Sequence, residues 1–327
     1  MNFLSLYYFV ELSKDLHFTK TAERLYISQQ TLSNNIKSLE SYYNVKLINR
    51  KPRVTLTYAG ERLLAFAKEV LLKNRDLEDM FSDINEELSG SLKFGASISR
   101  ATISLPKIFP VFTKKYPNVQ IKYIDDISKN LEPLIVNNEL DFAIVISERP
   151  GLNIKSLKLM DDQIYLCVTN KLLKEYYPND YEYLKEKSKK GASVEDFKEL
   201  PFSMMSNRLG NKIESFFIEK EIVPKINFSS TYSQLILPFC SNSLSACFVS
   251  HATLICLKED VTNDMNLFPL FHEGEAVRRP ITLITQKDRY MNSYSKFFQS
   301  LIVDHFNDIK NIDLQKCLFN TKKKLRN

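Results

Sequence analysis

From Glu61 to Leu88 the chain has neither Pro nor Gly, and Leu63, Ala67, Val70, Asn74, Leu77, Phe81, Ile84 and Leu88 recur along it at alternating spacings of four and three. This is a heptad seam over nearly four repeats, and it predicts one long helix. At 1.5 Å per residue that helix is on the order of 40 Å long, too long to be a routine element of a compact domain of about 60 residues. The seam therefore calls for a partner, most simply a second copy of itself; packing on its own domain is the plainer alternative. Asn74 is the one polar residue in the seam, and a buried Asn fixes register and strand number at some cost in stability. The helix also divides the chain, because 327 residues exceed what one core comfortably serves.

Charge follows the same division. Residues 1–60 carry eight Lys or Arg against four Asp or Glu, and residues 316–327 carry five bases and no acid. Taking +4 and +5 from the total of +6 leaves the middle at −3, so a polyanionic partner suits the ends rather than the body. The opening MNFLSLYYFVELSKDLHF has helical period without a basic leader or cleavage site, and reads as the first helix of a cytoplasmic protein. No apolar run reaches the length of a membrane span.

From Phe18 the sequence FTKTAERLYISQQTLSNNIKSLE places Ala22, Leu25, Ile27, Leu32, Ile36 and Leu39 at its apolar positions. Two short helices explain the spacing, the first capped by Thr19 and the second by Ser28. The second buries Leu32, Ile36 and Leu39 and turns Gln29, Gln30, Thr31, Ser33, Asn34 and Lys37 outward. Gln and Asn can hold an adenine edge bidentately while Lys and Ser hold phosphates, so the face, with Thr19 and Ser28 counted in the same DNA-binding set, suits a DNA major groove; a solvated surface is the other reading. Arg50, Lys51 and Arg53 then form a basic turn running into alternating Val54 and Leu56, as a β-wing beside a DNA backbone would.

The run from Tyr8 to Gly60, including VKLINR and VTLTYAGE, closely resembles the DNA-binding domain of the LysR family of transcriptional regulators. The chain departs from that pattern at Gln30, where Pro is usual, at Asn34, where Arg is usual, and at Ile48, where Phe is usual. The missing Arg removes a guanine reader, which bears on base preference rather than on fold. The resemblance implies a regulator that binds double-stranded operator DNA as a dimer or tetramer and needs no cofactor, with RNA polymerase as a further partner. The sparse Gly and the richness in Lys, Asn, Ile and Phe suggest an AT-rich bacterial genome.

After Gly90 short apolar strands alternate with helices: LKFGA, helix 102–115, VQIKYI, helix 129–138 and DFAIVI, then DQIYLCVT, PFSMM, helix 211–220, INFSS, helix 231–241 and SACFVS. ITLITQ and a helix from Asn292 to about Phe306 close the pattern. These are two βαβαβ sets with crossovers near 161 and 267, and they resemble the LysR-family effector domain, which is shaped like a type 2 periplasmic binding protein. The expected fold is α+β and multi-domain. A winged helix-turn-helix occupies 1–60, a linker and dimerisation helix 61–89, one effector subdomain 90–161 with 267–312, the other 162–266, and a basic tail 313–327.

Parallel sheets bind ligands beyond the carboxyl ends of their strands, which selects Ser97, Ile98, Ser99, Ile127, Ser128, Ile146, Asn207 at the head of the run 207–210, and Thr231 for a small-molecule effector. Ser99 and Ser128 stand at predicted helix starts, with Arg100 adjacent, where they either welcome an anion or merely cap. Ser243-Leu244-Ser245 stands where the family commonly has Gly-Leu-Gly. Residues 175–192, EYYPNDYEYLKEKSKKGA, form a longer connection than usual, expected as a surface helix and loop.

An enzyme is disfavoured: there is no GxSxG, P-loop or GxGxxG, and the four His fit no metal spacing. Five Cys without a CxxC read as buried free thiols, and Cys247, His251 and Cys256 match no standard zinc pattern, so no metal is assigned. A solute-binding protein would explain the α/β halves but not the first 88 residues.

Overall fold

A computed structural model describes residues 2–85, 89–146, 151–287 and 289–319, apart from the side chains of Gln315 and Phe319. Leu88 of the seam and the basic run 320–327 lie outside them. The chain forms two compact units, residues 1–87 with 288–293, and residues 88–287 with 294–327.

The first unit contains α1 (Phe3–Asp15), α2 (Phe18–Arg24), α3 (Gln29–Tyr43), β1 (Ile48–Asn49), β2 (Thr55–Leu56) and α4 (Tyr58–Ile84). Leu6, Phe9, Leu12, Ala22, Leu32, Ile36, Leu39 and Leu47 are fully buried between the helices. Ser28 caps α3 as expected, its hydroxyl accepting the Thr31 amide at 3.0 Å. Thr19 does not cap α2. The helix starts two residues earlier than that role requires, His17 Nδ1 accepts the Lys20 amide at 3.2 Å, and the Thr19 hydroxyl donates instead to Gln29 Oε1 at 3.1 Å. Strands β1 and β2 pair antiparallel as the wing, Ile48 opposite Leu56.

Helix α4 begins at Tyr58, where Thr57 accepts the Gly60 amide at 3.0 Å. Gly60 is required by close approach, since a Cβ there would lie 2.2 Å from the Leu47 carbonyl oxygen. The predicted seam divides along this helix. Leu63 and Ala67 are buried and Val70 packs with them in the unit's own core, because α4 lies against α1. Farther along, Leu77, Phe81 and Ile84 are 46%, 54% and 73% exposed. Asn74, half-buried, donates to Glu78 Oε1 at 2.7 Å.

The second unit begins with β3 (Ser89–Ala96), α5 (Ile98–Lys115), β4 (Asn118–Asp125), α6 (Ser128–Val136) and β5 (Phe142–Ile146). A long strand β6 (Ile154–Thr169) leads to α7 (Asn170–Tyr176), α8 (Tyr181–Ser188), β7 (Pro201–Met205), α9 (Arg208–Glu219), β8 (Lys225–Ser230), α10 (Ser233–Ser241), β9 (Ala246–Ser250) and α11 (His251–Cys256). The return runs through β10 (Met265–Pro269), the hairpin β11 (Phe271–His272) and β12 (Glu275–Ala276), β13 (Arg278–Gln286), α12 (Ser293–Lys310) and α13 (Leu314–Phe319).

The main sheet has the order β4-β3-β5-β13-β6-β9-β7-β8, with β10 also on β6. Strand β3 is parallel to β4 and β5, and β7 is parallel to β8 and β9, which gives the two α/β halves. Antiparallel β6 and β13 run between them and pair with each other from Arg278 opposite Gln163 to Gln286 opposite Ile154.

Three boundaries differ from expectation. The chain returns to the first half near Arg278 rather than near 267, because Leu267, Phe268, Leu270 and Val277 pack in the cores of the second half. Helix α5 starts at Ile98 rather than at 102, since Ser99, Arg100 and Ala101 already have helical bonding. The tail expected from 313 is folded as far as Phe319, with Leu314 and Leu318 buried against Leu254 and Val261. The insertion 175–192 is surface structure anchored by its apolar side: α8 buries Leu184, and Ala192 bridges Leu270.

Candidate DNA-reading face and ligand cleft

In the first unit Gln29, Gln30, Thr31, Asn34 and Lys37 are all exposed on α3, with Ser33 half-buried among them. They face out because Leu32, Ile36 and Leu39 take the inward positions at spacings of four and three. Arg50, Lys51 and Arg53 are exposed in the wing turn. Glu40 ties the wing to α3: its buried carboxylate accepts the amides of Leu47 at 2.9 Å and Ile48 at 3.3 Å. Arg50 lies 5.3 Å from the Phe18 ring and reaches both Ser33 Oγ at 3.4 Å and Glu40 at 3.7 Å. The hydroxyls of Ser28 and Thr19 are already engaged, one as a cap and one on Gln29. Tyr26, 96% exposed in the turn between α2 and α3, adds an aromatic ring that no periodicity argument selects.

In the second unit the carboxyl ends of both parallel strand sets open on a cavity of about 460 Å³. All eight residues chosen from the strand ends line it: Ser97, Ile98, Ser99, Ile127, Ser128 and Ile146 from the first half, Asn207 and Thr231 from the second. Ser99 and Ser128 are not caps. Ser99 Oγ lies 3.1 Å from Ser233 Oγ across the cleft, and Ser128 Oγ accepts the Ile146 amide at 2.9 Å. Asn207 does cap, accepting the Leu209 amide at 2.9 Å and the Gly210 amide at 3.4 Å.

The same wall holds Arg100, Arg208, Arg279 and Asp162, and Glu132 stands behind Arg208. Arg208 joins the halves: both its terminal nitrogens reach the fully buried Glu132 at 3.1 Å, and Nη1 donates to the Ile146 carbonyl at 2.6 Å. Arg279 lies 3.4 Å from Asp162, which is 1% exposed, and 3.0 Å from Ser250 Oγ. Among the described residues the hydrogen-bond acceptor of Arg100 is the Ile144 carbonyl, at 3.4 Å. Loss of water, then repulsion from Arg279, pulls its guanidinium down to about 9, still charged at neutral pH.

The family model described as bacterial regulatory helix-turn-helix protein, lysR family, matches residues 3–61, and the LysR substrate binding domain matches residues 85–307. The chain belongs to the LysR family. It is accordingly a DNA-binding transcriptional regulator with an effector-binding domain, not an enzyme. Among similar proteins, one named as a RuBisCO transcriptional regulator of Phaeodactylum tricornutum is 27% identical over 304 residues, covering 90% of this chain and 94% of that one. The Bacillus subtilis regulator YkuM is 29% identical over 170 residues, 52% of this chain and 58% of its own. Full-length OxyR from Pseudomonas aeruginosa, a cysteine-to-aspartate variant, superposes with a TM-score of 0.66 at 17% identity, covering 96% of each chain. CbnR in complex with target DNA gives a TM-score of 0.53 at 16% identity, covering 94% of this chain and all of that one.

In this LysR-family chain the strand-end rule located the cleft and reached Arg208 through the run 207–210, with Arg100 beside Ser99, but it passed over Arg279, which sits on the returning strand. Glu132 and Asp162 are buried partners of Arg208 and Arg279 and carry no signal of their own. Among the described residues no helix is long and apolar enough to cross a membrane, and no cluster of His, Cys, Asp or Glu could hold a metal ion.

Proposed function

We propose that this LysR-family regulator works as a homodimer, assembling further to a tetramer, and that a small effector in the cleft controls how it holds operator DNA. The reading face is α3 with the wing, where Gln29, Gln30, Thr31, Ser33, Asn34 and Lys37 meet base edges and backbone, and Arg50, Lys51 and Arg53 meet phosphates. Leu77, Phe81 and Ile84 on α4 supply the dimer contact, with exposed Phe66 and Met80 beside them on the same helix. Pairing two heads in this way suits an operator of two half-sites. The setting is a bacterial cytoplasm, with RNA polymerase as the later partner on the promoter.

The observation carrying this reading is the cavity itself, in which residues from both α/β halves line one cleft. The test is a gel shift on the chain's own upstream intergenic DNA at two salt concentrations, with excess non-specific competitor. Retained, salt-sensitive binding to an inverted repeat is expected. Binding no tighter than to random DNA would remove the operator assignment, and so would undiminished binding by a truncation lacking residues 1–60.

A further inference from the structure

The turn between α2 and α3 carries a strain that no contact within the chain offsets. Tyr26 has φ at 54°, in the left-handed region that a residue with a bulky side chain adopts only against steric resistance. The hydrogen bonds show why the backbone turns there. The Tyr26 amide donates to the Glu23 carbonyl at 3.1 Å and the Ile27 amide to the Ala22 carbonyl at 3.0 Å, which closes the end of α2 and packs Ile27 on the core. The left-handed residue of such a closure is ordinarily Gly or Asn. Helix α3 ends in the same way with Asn in that place: Asn44 has φ at 52°, its amide donates to the Ser41 carbonyl, and that of Val45 donates to Glu40. The closure thus accounts for the φ of Tyr26 but not for the tyrosine.

The ring finds nothing to pack on. Tyr26 is 96% exposed, and among the described residues no ring, cation or hydrogen-bonding group meets its side chain. Leu16, the other bulky residue of the first unit with positive φ, is 37% exposed and so keeps most of its surface covered. An aromatic side chain left bare on a strained backbone is the combination expected where a partner, and not the fold, uses the residue.

Its place in the chain indicates that partner. Tyr26 stands three residues before Gln29, so their Cα atoms are at most about 11 Å apart, and a DNA major groove is about 12 Å wide. A groove that receives Gln29 and Gln30 therefore brings a sugar–phosphate rim within reach of the Tyr26 ring. The surrounding segment favours a polyanion, since residues 1–60 carry eight Lys or Arg against four Asp or Glu. We propose that Tyr26 is a positioning residue for DNA binding, its ring lying against a deoxyribose and its hydroxyl donating to a phosphate oxygen at the edge of the groove that α3 enters. This rests on α3 being the reading helix.

The experiment uses the full-length chain, with fluorescence anisotropy on its own upstream intergenic DNA and on a random duplex, and circular dichroism melts alongside. Tyr26→Asn should raise the Tm of the first unit by about 4 °C, because Asn tolerates the left-handed backbone, and should weaken binding to both DNAs about tenfold. The slope of log K against log salt should not change, since no cation is lost. Tyr26→Phe keeps the strain and the ring, so its Tm should match the parent while its affinity falls about threefold. A tyrosine with a merely structural role would not move stability and affinity in opposite directions. The control is Gln29→Ala with Gln30→Ala. If that pair weakens operator binding and Tyr26→Asn does not, the Tyr26 contact is overturned and α3 stands; if neither weakens it, the reading helix itself is lost. Tyr26→Phe binding as tightly as the parent would overturn the phosphate contact, and a loss confined to the intergenic DNA would make Tyr26 a base reader. Unchanged DNA affinity with lost transcription in a reaction containing RNA polymerase would assign the ring to a protein partner and overturn the proposal.

Discussion

Arg208 ties the two α/β halves together across the cleft, through Glu132 and the Ile146 carbonyl. Replacing it with Met takes the Arg208 guanidinium away from the fully buried Glu132, and removing one partner of such a pair costs more than the pair itself contributes. Because the Arg208 side chain is 36% exposed, the expected loss is about 2 kcal/mol, read by urea unfolding of Arg208→Met against the parent chain. His305 on α12 gives a second residue-scale expectation. Burial, then Lys107, hold its imidazole below the ordinary value of 6.5, and its Nε2 has no hydrogen-bond partner. The unfolded chain therefore takes up this proton before the folded one does. The stability associated with neutral His305 is complete above pH 6.5 and is lost as pH falls from there towards the depressed folded value. His305→Phe should flatten that acid limb in denaturation curves taken between pH 7 and about 5; an unchanged limb would place its cause elsewhere.

At the scale of elements, the junction between wing and α4 turns on Gly60. An added Cβ meets backbone rather than a flexible side chain, so Gly60→Ala should lower the stability of the first unit by more than about 1 kcal/mol despite the better helix propensity of Ala, as circular dichroism melts would show. Helix α3 carries amides and no Arg on its exposed face, so selection from randomised half-sites should return A·T-biased positions. Asn34→Arg should add a guanine preference of about 1–3 kcal/mol at one of them. These elements were legible in advance because apolar period and cap chemistry are local. The 3.6-residue period of α3 and the hydroxyl of Ser28 each act within a few residues. Thr19 misled because a neighbouring His can cap as well, and propensity does not tell which of two adjacent side chains wins. The α4 seam misled in part because periodicity reports an apolar stripe without its partner, and Leu63 and Ala67 find theirs in α1. The pairings of Arg208 with Glu132 and of Arg279 with Asp162 were illegible for a related reason: each pair is brought together across long stretches of chain, and although the end of β7 marks Arg208, nothing nearby marks the other three. Ser243 shows the converse, a turn kept without its customary Gly, with φ at 59° and its hydroxyl accepting from Thr169 at 2.8 Å.

For the whole molecule, charge placement makes DNA affinity a function of salt. Replacing Lys37, Lys51 and Arg53 together by Ala should weaken binding to all sequences alike and reduce the slope of log K against log salt by about 3, since each cation lost releases roughly one counterion fewer. A change in sequence preference instead would make them base readers. Replacing Leu77, Phe81 and Ile84 by Asp should yield monomers in analytical ultracentrifugation with weakened operator binding, whereas retained dimers would move the interface elsewhere. The division of β6 and β13 between the two α/β halves also governs how those halves can move. Where the chain crosses from one to the other, Asp161, Asp162 and Gln163 are laddered to Pro280, Arg279 and Arg278. The link is thus a two-stranded ribbon with a register shift just beyond it, between Ile281 and Thr282. A ribbon of this kind flexes like the pin of a door, about one axis, while its ladder resists sliding. Arg279, whose side chain lines the cavity, is mounted on that pin.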